Sequence, residues 1–172
     1  FTDPWAARDA YIRVILDRSP EEVNLFFAEN AARALDAQER TTALRLMELQ
    51  RHAMLMYTSC AWFFDDIAGL ETVQVIQYAA RVLQLARTAL GLDLEPEFLD
   101  RLGRITGSDR NAPDGRAVFD KCVRPAMLSL ERVAAHYAIH RLFGGQSDRV
   151  YAFRVLNEQG FRSTSGRARL VI

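Results

Sequence analysis

The sequence predicts a mainly α fold, a helical bundle over residues 1–145 followed by a short C-terminal β segment over 146–172. Three observations carry that reading. Apolar residues recur at three- and four-residue spacing through most of the chain, as one buried helix face requires. Capping residues, prolines and glycines fall where those stripes begin and end. After Gly144-Gly145 the apolar spacing shifts to every second residue, the period of a strand.

The elements follow in order. A first helix spans residues 4–17, with Trp5, Tyr11, Ile12, Ile15 and Leu16 on its apolar side. Ser19-Pro20-Glu21-Glu22 then supplies an N-cap, a proline at the first helical position and acids at the positive end of the dipole. That second helix turns Val23, Phe26, Phe27 and Ala31 inward. Asp36 with Glu39 three residues on has the form of a capping box, opening a long helix through Leu44, Met47, Met54 and Tyr57.

Over residues 70–90 two adjacent stripes are apolar, Val73, Ile76, Ala80, Leu83 and Val75, Ala79, Val82, Ala86, so this helix is buried over a wide arc. Its remaining face carries Glu71, Gln74, Gln77, Arg81 and Gln84, and Gly91 stops it. A shorter helix follows Pro96 and ends before a polar loop at 107–113. From 114 to 143 a long helical pattern is interrupted at Pro125, which removes a ladder hydrogen bond and predicts a kink or break near Arg124. Strands are expected around Val150–Val155 and at residues 168–172.

Composition sets limits on function. At 172 residues, 49% apolar and 26% charged, the chain suits one globular domain with a core that needs no staples. Twenty-two basic residues balance 22 acidic ones, so no long-range field favours nucleic acid or an anionic membrane. No apolar run approaches the ~20 residues that span a bilayer. Cys60 and Cys122 stand far apart in no metal or redox spacing, which favours a reducing, cytoplasmic compartment. The chain starts at Phe1 rather than Met and stops inside an apparent strand, so a segment of a longer polypeptide is expected.

The most informative stretch is Tyr57-Thr58-Ser59-Cys60-Ala61-Trp62-Phe63-Phe64-Asp65-Asp66, which sets aromatic rings beside hydroxyls and two carboxylates. A sugar site needs flat apolar rings to stack on and fixed acceptors for hydroxyl hydrogens. Trp62 suits the first role; Asp65, Asp66, Ser59 and Thr58 suit the second. The competing reading is packing, in which Thr58 or Ser59 caps a new helix, the Asp pair sits in its first turns and the aromatics are core. Adjacent Asp65 and Asp66 cannot flank a glycosidic bond from both sides, so they are not a glycosidase pair.

Two further pairs stand at helical spacing. His136 and His140 are four apart, but Tyr137 takes the place of the glutamate of a helical zinc protease motif, and no metal is expected. Glu48 and His52 also pair, and Gln50, Arg51 and His52 approach the aromatic block from upstream, either as its support or as an exposed polar face. No phosphate loop or nucleophile elbow occurs, and no cofactor is implied.

The runs Asp3-Pro4-Trp5-Ala6-Ala7-Arg8-Asp9-Ala10-Tyr11-Ile12, Met54 through Asp66, and Leu70-Glu71-Thr72-Val73-Gln74-Val75-Ile76-Gln77-Tyr78-Ala79 resemble the domain of unknown function 3536. That domain follows the catalytic barrel in a bacterial subgroup of glycoside hydrolase family 57. The resemblance covers nearly the whole chain and implies a C-terminal helical domain packed on an incomplete (β/α) barrel. It places both catalytic carboxylates of a retaining reaction in that barrel and none here. In related enzymes the helical region brings a serine- and tryptophan-containing motif to the active-site rim, and Ser59 to Asp66 is similar in character. It departs in that Cys60-Ala61 separates Ser59 from Trp62.

The expectation is therefore a non-catalytic domain that completes an α-glucan cleft, with the N-terminal barrel of the same polypeptide as partner and a second subunit as a further one. Trp62 would stack on sugar, with Tyr57 beside it. Ser59, Thr58 and Asp65 would hydrogen-bond the sugar, and Arg8, His52, Glu71 and Gln74 would orient them. Two alternatives stand beside it: a structural module whose aromatic block only docks on the barrel or another subunit, and a bundle that holds a small ligand in an apolar pocket lined by Tyr57, Trp62 and Tyr78.

Overall fold

The chain is mainly α, with short β hairpins at its C-terminal end. The structure, a computed structural model, describes residues 1–63, 66–107, 112–145, 147–150, 153–159, 162–165 and 168–171. Asp65 and Ile172 lie outside the described residues, as does the side chain of Trp62. The chain divides into two compact units, Phe1–Met127 and Leu128–Ile172.

The first unit opens with α1 (Pro4–Ala10) and α2 (Ile12–Leu16). The Asp3 carboxylate caps α1 by accepting from the N–H groups of Trp5 and Ala6 at 2.8 and 3.1 Å. One helix was expected over these residues, and Tyr11 divides it. The Tyr11 N–H is shared between the carbonyls of Ala7 and Arg8, which tightens the turn and ends the regular ladder. Helix α3 (Pro20–Asn30) starts as anticipated, with the Ser19 hydroxyl accepting from the Glu22 N–H at 3.2 Å. Ala7, Tyr11 and Val14 line one stripe of α1–α2, and they meet Phe26 and Phe27 of α3 in a first core. The rings of Phe1, Tyr11 and Phe27 all stand edge-on to Phe26 at 5.4–5.8 Å.

Helix α4 (Ala37–Leu55) begins with the complete capping box: Asp36 accepts from Glu39 N–H at 2.8 Å, and Glu39 accepts from Asp36 N–H at 3.0 Å. It stops at Leu55, two residues short of Tyr57. Ala43, Leu44 and Met47 pack on the first core, and α4 also runs along α6 (Leu70–Leu90). Gly91 ends α6 in the left-handed region at φ 69°, a conformation that costs a side-chain-bearing residue energy.

A second core joins Ile76 and Ala80 of α6 to Leu99 and Leu102 of α7 (Glu95–Leu102) and Val118 of α8 (Gly115–Val118). Phe119 and Val123, both fully buried, complete it. The break predicted near Arg124 takes a definite form. A π-helical turn at Phe119–Val123 leads into a 3₁₀ turn at Arg124–Ala126, and Met127 is extended. Pro125 has no N–H to continue the α ladder, so the chain changes its hydrogen-bond register before leaving the helix.

In the second unit, α9 (Leu130–Leu142) precedes two antiparallel hairpins. Strands β1 (Arg149–Val150) and β2 (Phe153–Arg154) pair Val150 with Phe153, and β3 (Arg162–Ser165) pairs with β4 (Ala168–Val171). The single strand expected around Val150–Val155 is thus a hairpin. Alternation locates extended residues but does not mark a reversal that lacks an Asn-Gly or Gly-containing turn signal. The Tyr137 hydroxyl donates to Glu158 at 2.7 Å and ties α9 to the segment after β2.

Candidate functional site

The aromatic block occupies the passage from α4 to α6. After α4 the Thr58 N–H returns to the Leu55 carbonyl at 3.2 Å, and a separate one-turn helix α5 (Cys60–Phe63) follows. Two anchors hold this passage. The Thr72 hydroxyl, in the first turn of α6, lies 3.1 Å from the Ala61 carbonyl and 2.9 Å from the Asp66 carbonyl. Ile67, just beyond the block, is buried in the second core. The passage is fixed at its base, and its described aromatic rings face outward.

Tyr57 is 69% exposed and Phe63 78% exposed, with Ser59 and Cys60 exposed between them. Thr58 is half-buried. The Asp66 carboxylate accepts from the Ala68 N–H at 2.9 Å, so it shapes the turn into α6 while remaining exposed. The described part of the block therefore forms a solvent-facing rim rather than a core. Turn chemistry at Asp66 coexists with exposed rings.

The four residues expected to support the block separate into different surroundings. Arg8 donates to its neighbour Asp9 at 2.6 and 2.9 Å and lies over the Trp5 ring at 4.9 Å. Glu71 is half-buried and Gln74 exposed, neither with a hydrogen bond among the described residues. Only His52 belongs to a larger polar assembly, of which helical spacing disclosed the Glu48 pairing but not the distant partners Tyr11 and Arg18.

That assembly centres on Glu48 of α4. Its Oε1 accepts from the Tyr11 hydroxyl at 2.8 Å and from Arg18 at 2.9 Å, and its Oε2 lies 3.0–3.1 Å from Arg51 nitrogens. The His52 Nδ1 lies 2.8 Å from the Glu48 carbonyl, and since a carbonyl only accepts, Nδ1 carries the hydrogen. The His52 ring stands edge-on to Tyr78 of α6 at 6.2 Å. One carboxylate thus links α1–α2, the loop before α3 and two turns of α4, with His52 joining α6.

The titration behaviour follows from this geometry. Burial pushes the Glu48 carboxyl up, but the Tyr11 hydroxyl and the Arg51 and Arg18 cations outweigh it and hold it below its ordinary value. Burial and the Glu48 charge raise the Tyr11 phenol well above its ordinary value. His52 is lowered, chiefly by burial, with the Arg51 and Arg81 charges opposing protonation and Glu48 favouring it. The cluster holds a charged carboxylate and a neutral imidazole near neutrality.

Among the described residues no group of three or more His, Cys, Asp and Glu is arranged to hold a metal ion. No helix there is long and apolar enough to cross a membrane. Cys60 and Cys122 are free thiols. In the second unit a cavity of ≈ 760 Å³ lies between α9 and the β1–β2 hairpin, lined by Val133, Tyr137, Arg141, Val150 and Phe153 among others.

Comparison with curated proteins and with solved structures finds no match for either. A family model does match, over residues 1–172, the whole of the chain. The chain belongs to the family described as Domain of unknown function (DUF3536).

Proposed function

We propose that this chain is the helical accessory domain of a glycoside hydrolase family 57-like protein, lending an aromatic and polar wall to an α-glucan cleft whose catalytic carboxylates lie in a separate barrel of the same polypeptide. The observation that carries this reading is the exposure of Tyr57 and Phe63 on a passage anchored by Thr72 and Ile67. Exposed rings on a fixed backbone lose little entropy on stacking against a sugar face, and neighbouring hydroxyls and carboxylates satisfy its hydroxyl groups. Trp62 stacks, Ser59, Thr58 and Asp65 hydrogen-bond, and the domain works in the cytoplasm.

A second reading has its own support. Leu70 is 80% exposed at the start of α6, close in sequence to the exposed rings, and such an apolar rim also suits docking on another domain or subunit. Replacing Trp62 with Ala in the full-length protein separates the two. The cleft reading predicts loss of glucan-directed activity with melting and assembly unchanged. Loss of folding or of interdomain contact instead assigns the block to docking.

A further inference from the structure

The cavity of the second unit takes its walls from one face of α9, from the β1–β2 hairpin and from the segment that follows β2. Lining positions on α9 fall at three- and four-residue spacing, from Leu130 through Ala134 and Ala138 to Leu142, as a single helix face requires. Val133 of α9 and Val150 of β1 are its buried members, whereas Leu130 and Leu142 at the two ends of the stripe stay exposed. Between those ends Ala134 and Ala138 carry only a methyl group each, so the space a larger side chain would occupy is left open. Apolar side chains facing unfilled volume forgo dispersion contacts that an apolar guest would restore.

The polar groups at the cavity are matched to one another. The Tyr137 hydroxyl donates to Glu158 Oε2 at 2.7 Å, Arg141 Nε lies 3.5 Å from Glu158 Oε1, and Arg141 also donates to the Gly145 carbonyl at 2.9 Å. All four residues line the cavity, and their contacts tie the segment after β2 to α9, so the site is pre-formed. Arg154 is the other lining cation. It follows the half-buried Phe153 in β2 and is itself exposed, in keeping with strand alternation, which directs it away from the face that Phe153 occupies. An ion entering the cavity would lose hydration and find its counter-charges already paired. The volume of ≈ 760 Å³ lies within the roughly 300–1,000 Å³ of pockets that hold small molecules.

We infer that the second unit binds an uncharged, predominantly hydrocarbon small molecule between the Ala134–Ala138 face of α9 and the β1–β2 hairpin. The site is separate from the passage between α4 and α6, which belongs to the first unit, and does not depend on the glycan reading.

Fluorescence titration of the full-length protein with N-phenylnaphthylamine, an uncharged aromatic whose emission rises in apolar surroundings, tests this. Saturable binding of one probe per chain is expected, with the charged analogue anilinonaphthalene sulfonate at least tenfold weaker. Ala138→Leu should fill the cavity and raise the Kd of the neutral probe at least tenfold, with the melting temperature unchanged or higher. Ala134→Leu, one turn away, repeats the test from a second position, and Arg132→Gln, exposed on α9 outside the lining, should leave Kd unchanged. Absence of saturable binding, a sulfonate that binds as well as the neutral probe, or wild-type affinity in both leucine variants overturns the proposal. A lower melting temperature in both leucine variants shows that protein already fills the space, and overturns it too.

Discussion

Replacing Glu48 tests whether one half-buried carboxylate organises the first unit. Its side chain is 17% exposed and accepts from the buried Tyr11 hydroxyl, Arg18 and Arg51. A hydrogen bond to a charged acceptor contributes about 1.5–3 kcal/mol, and the Tyr11 bond, with Tyr11 only 3% exposed, falls in that range. Arg18 is 59% exposed, so its pair adds about 0–1 kcal/mol, and the better-covered Arg51 pair adds about 1. Glu48→Ala should therefore cost about 2.5–5 kcal/mol, less a few tenths for the better helix propensity of Ala. For a chain of this length that corresponds to a fall of about 5–20 °C in Tm. Tyr11→Phe alone should cost about 1–2 kcal/mol, because Glu48 keeps its two cations. Urea denaturation of the wild type, both single variants and the double variant closes a cycle, with a coupling of about 1.5 kcal/mol expected. A coupling below about 0.3 kcal/mol would reduce the contact to one of proximity, with no organising role for Glu48.

Acidification acts on the same cluster. The folded-state affinity of His52 for a proton is lowered, so folding releases protons and stability falls as pH drops below about 6.5; Glu48, held below its ordinary 4.5, withdraws its contribution at still lower pH. Melting from pH 7.5 to 4 should show this decline, and His52→Gln should flatten its upper part. At the alkaline end Tyr11, raised above 10.0, favours the fold while protonated, so stability should fall above pH 10 and Tyr11→Phe should remove that fall. Phe119→Ala, emptying a fully buried position, should cost about 3–5 kcal/mol in urea denaturation. A Cβ on Gly115 would stand 2.4 Å from the Leu102 carbonyl oxygen and 3.0 Å from Ile67, so Gly115→Ala should push α8 off α7 at a cost of about 1–3 kcal/mol.

What the sequence disclosed and what it withheld divide along range. The Asp36–Glu39 capping box, the Ser19-Pro20 start and the Gly91 stop are local, each determined within a few residues, and each stands where its residues place it. The apolar stripes of α6 likewise mark the second core through Ile76 and Ala80. Partners far apart in sequence left no such trace. Periodicity places Tyr11 on an apolar face, but nothing local says that its hydroxyl meets Glu48, 37 residues on. Arg81 belonged to the polar face of α6, which looks solvent-facing by composition and is half-covered because α4 runs alongside. The aromatic block was legible as a functional candidate because its mixture of rings, hydroxyls and acids is chemical rather than periodic. Its division into a turn, the one-turn α5 and a second turn depends on Thr72 and Ile67, which act from outside it.

If the rim between α4 and α6 meets carbohydrate, a crystal structure of the full-length protein soaked with a maltooligosaccharide will show a sugar ring in contact with Trp62, flanked by Tyr57 or Phe63. Ser59, Thr58 or Asp65 will then lie within hydrogen-bond distance of its hydroxyl groups. Sugar bound remote from Trp62, with the rim buried against protein instead, would assign the rim to docking.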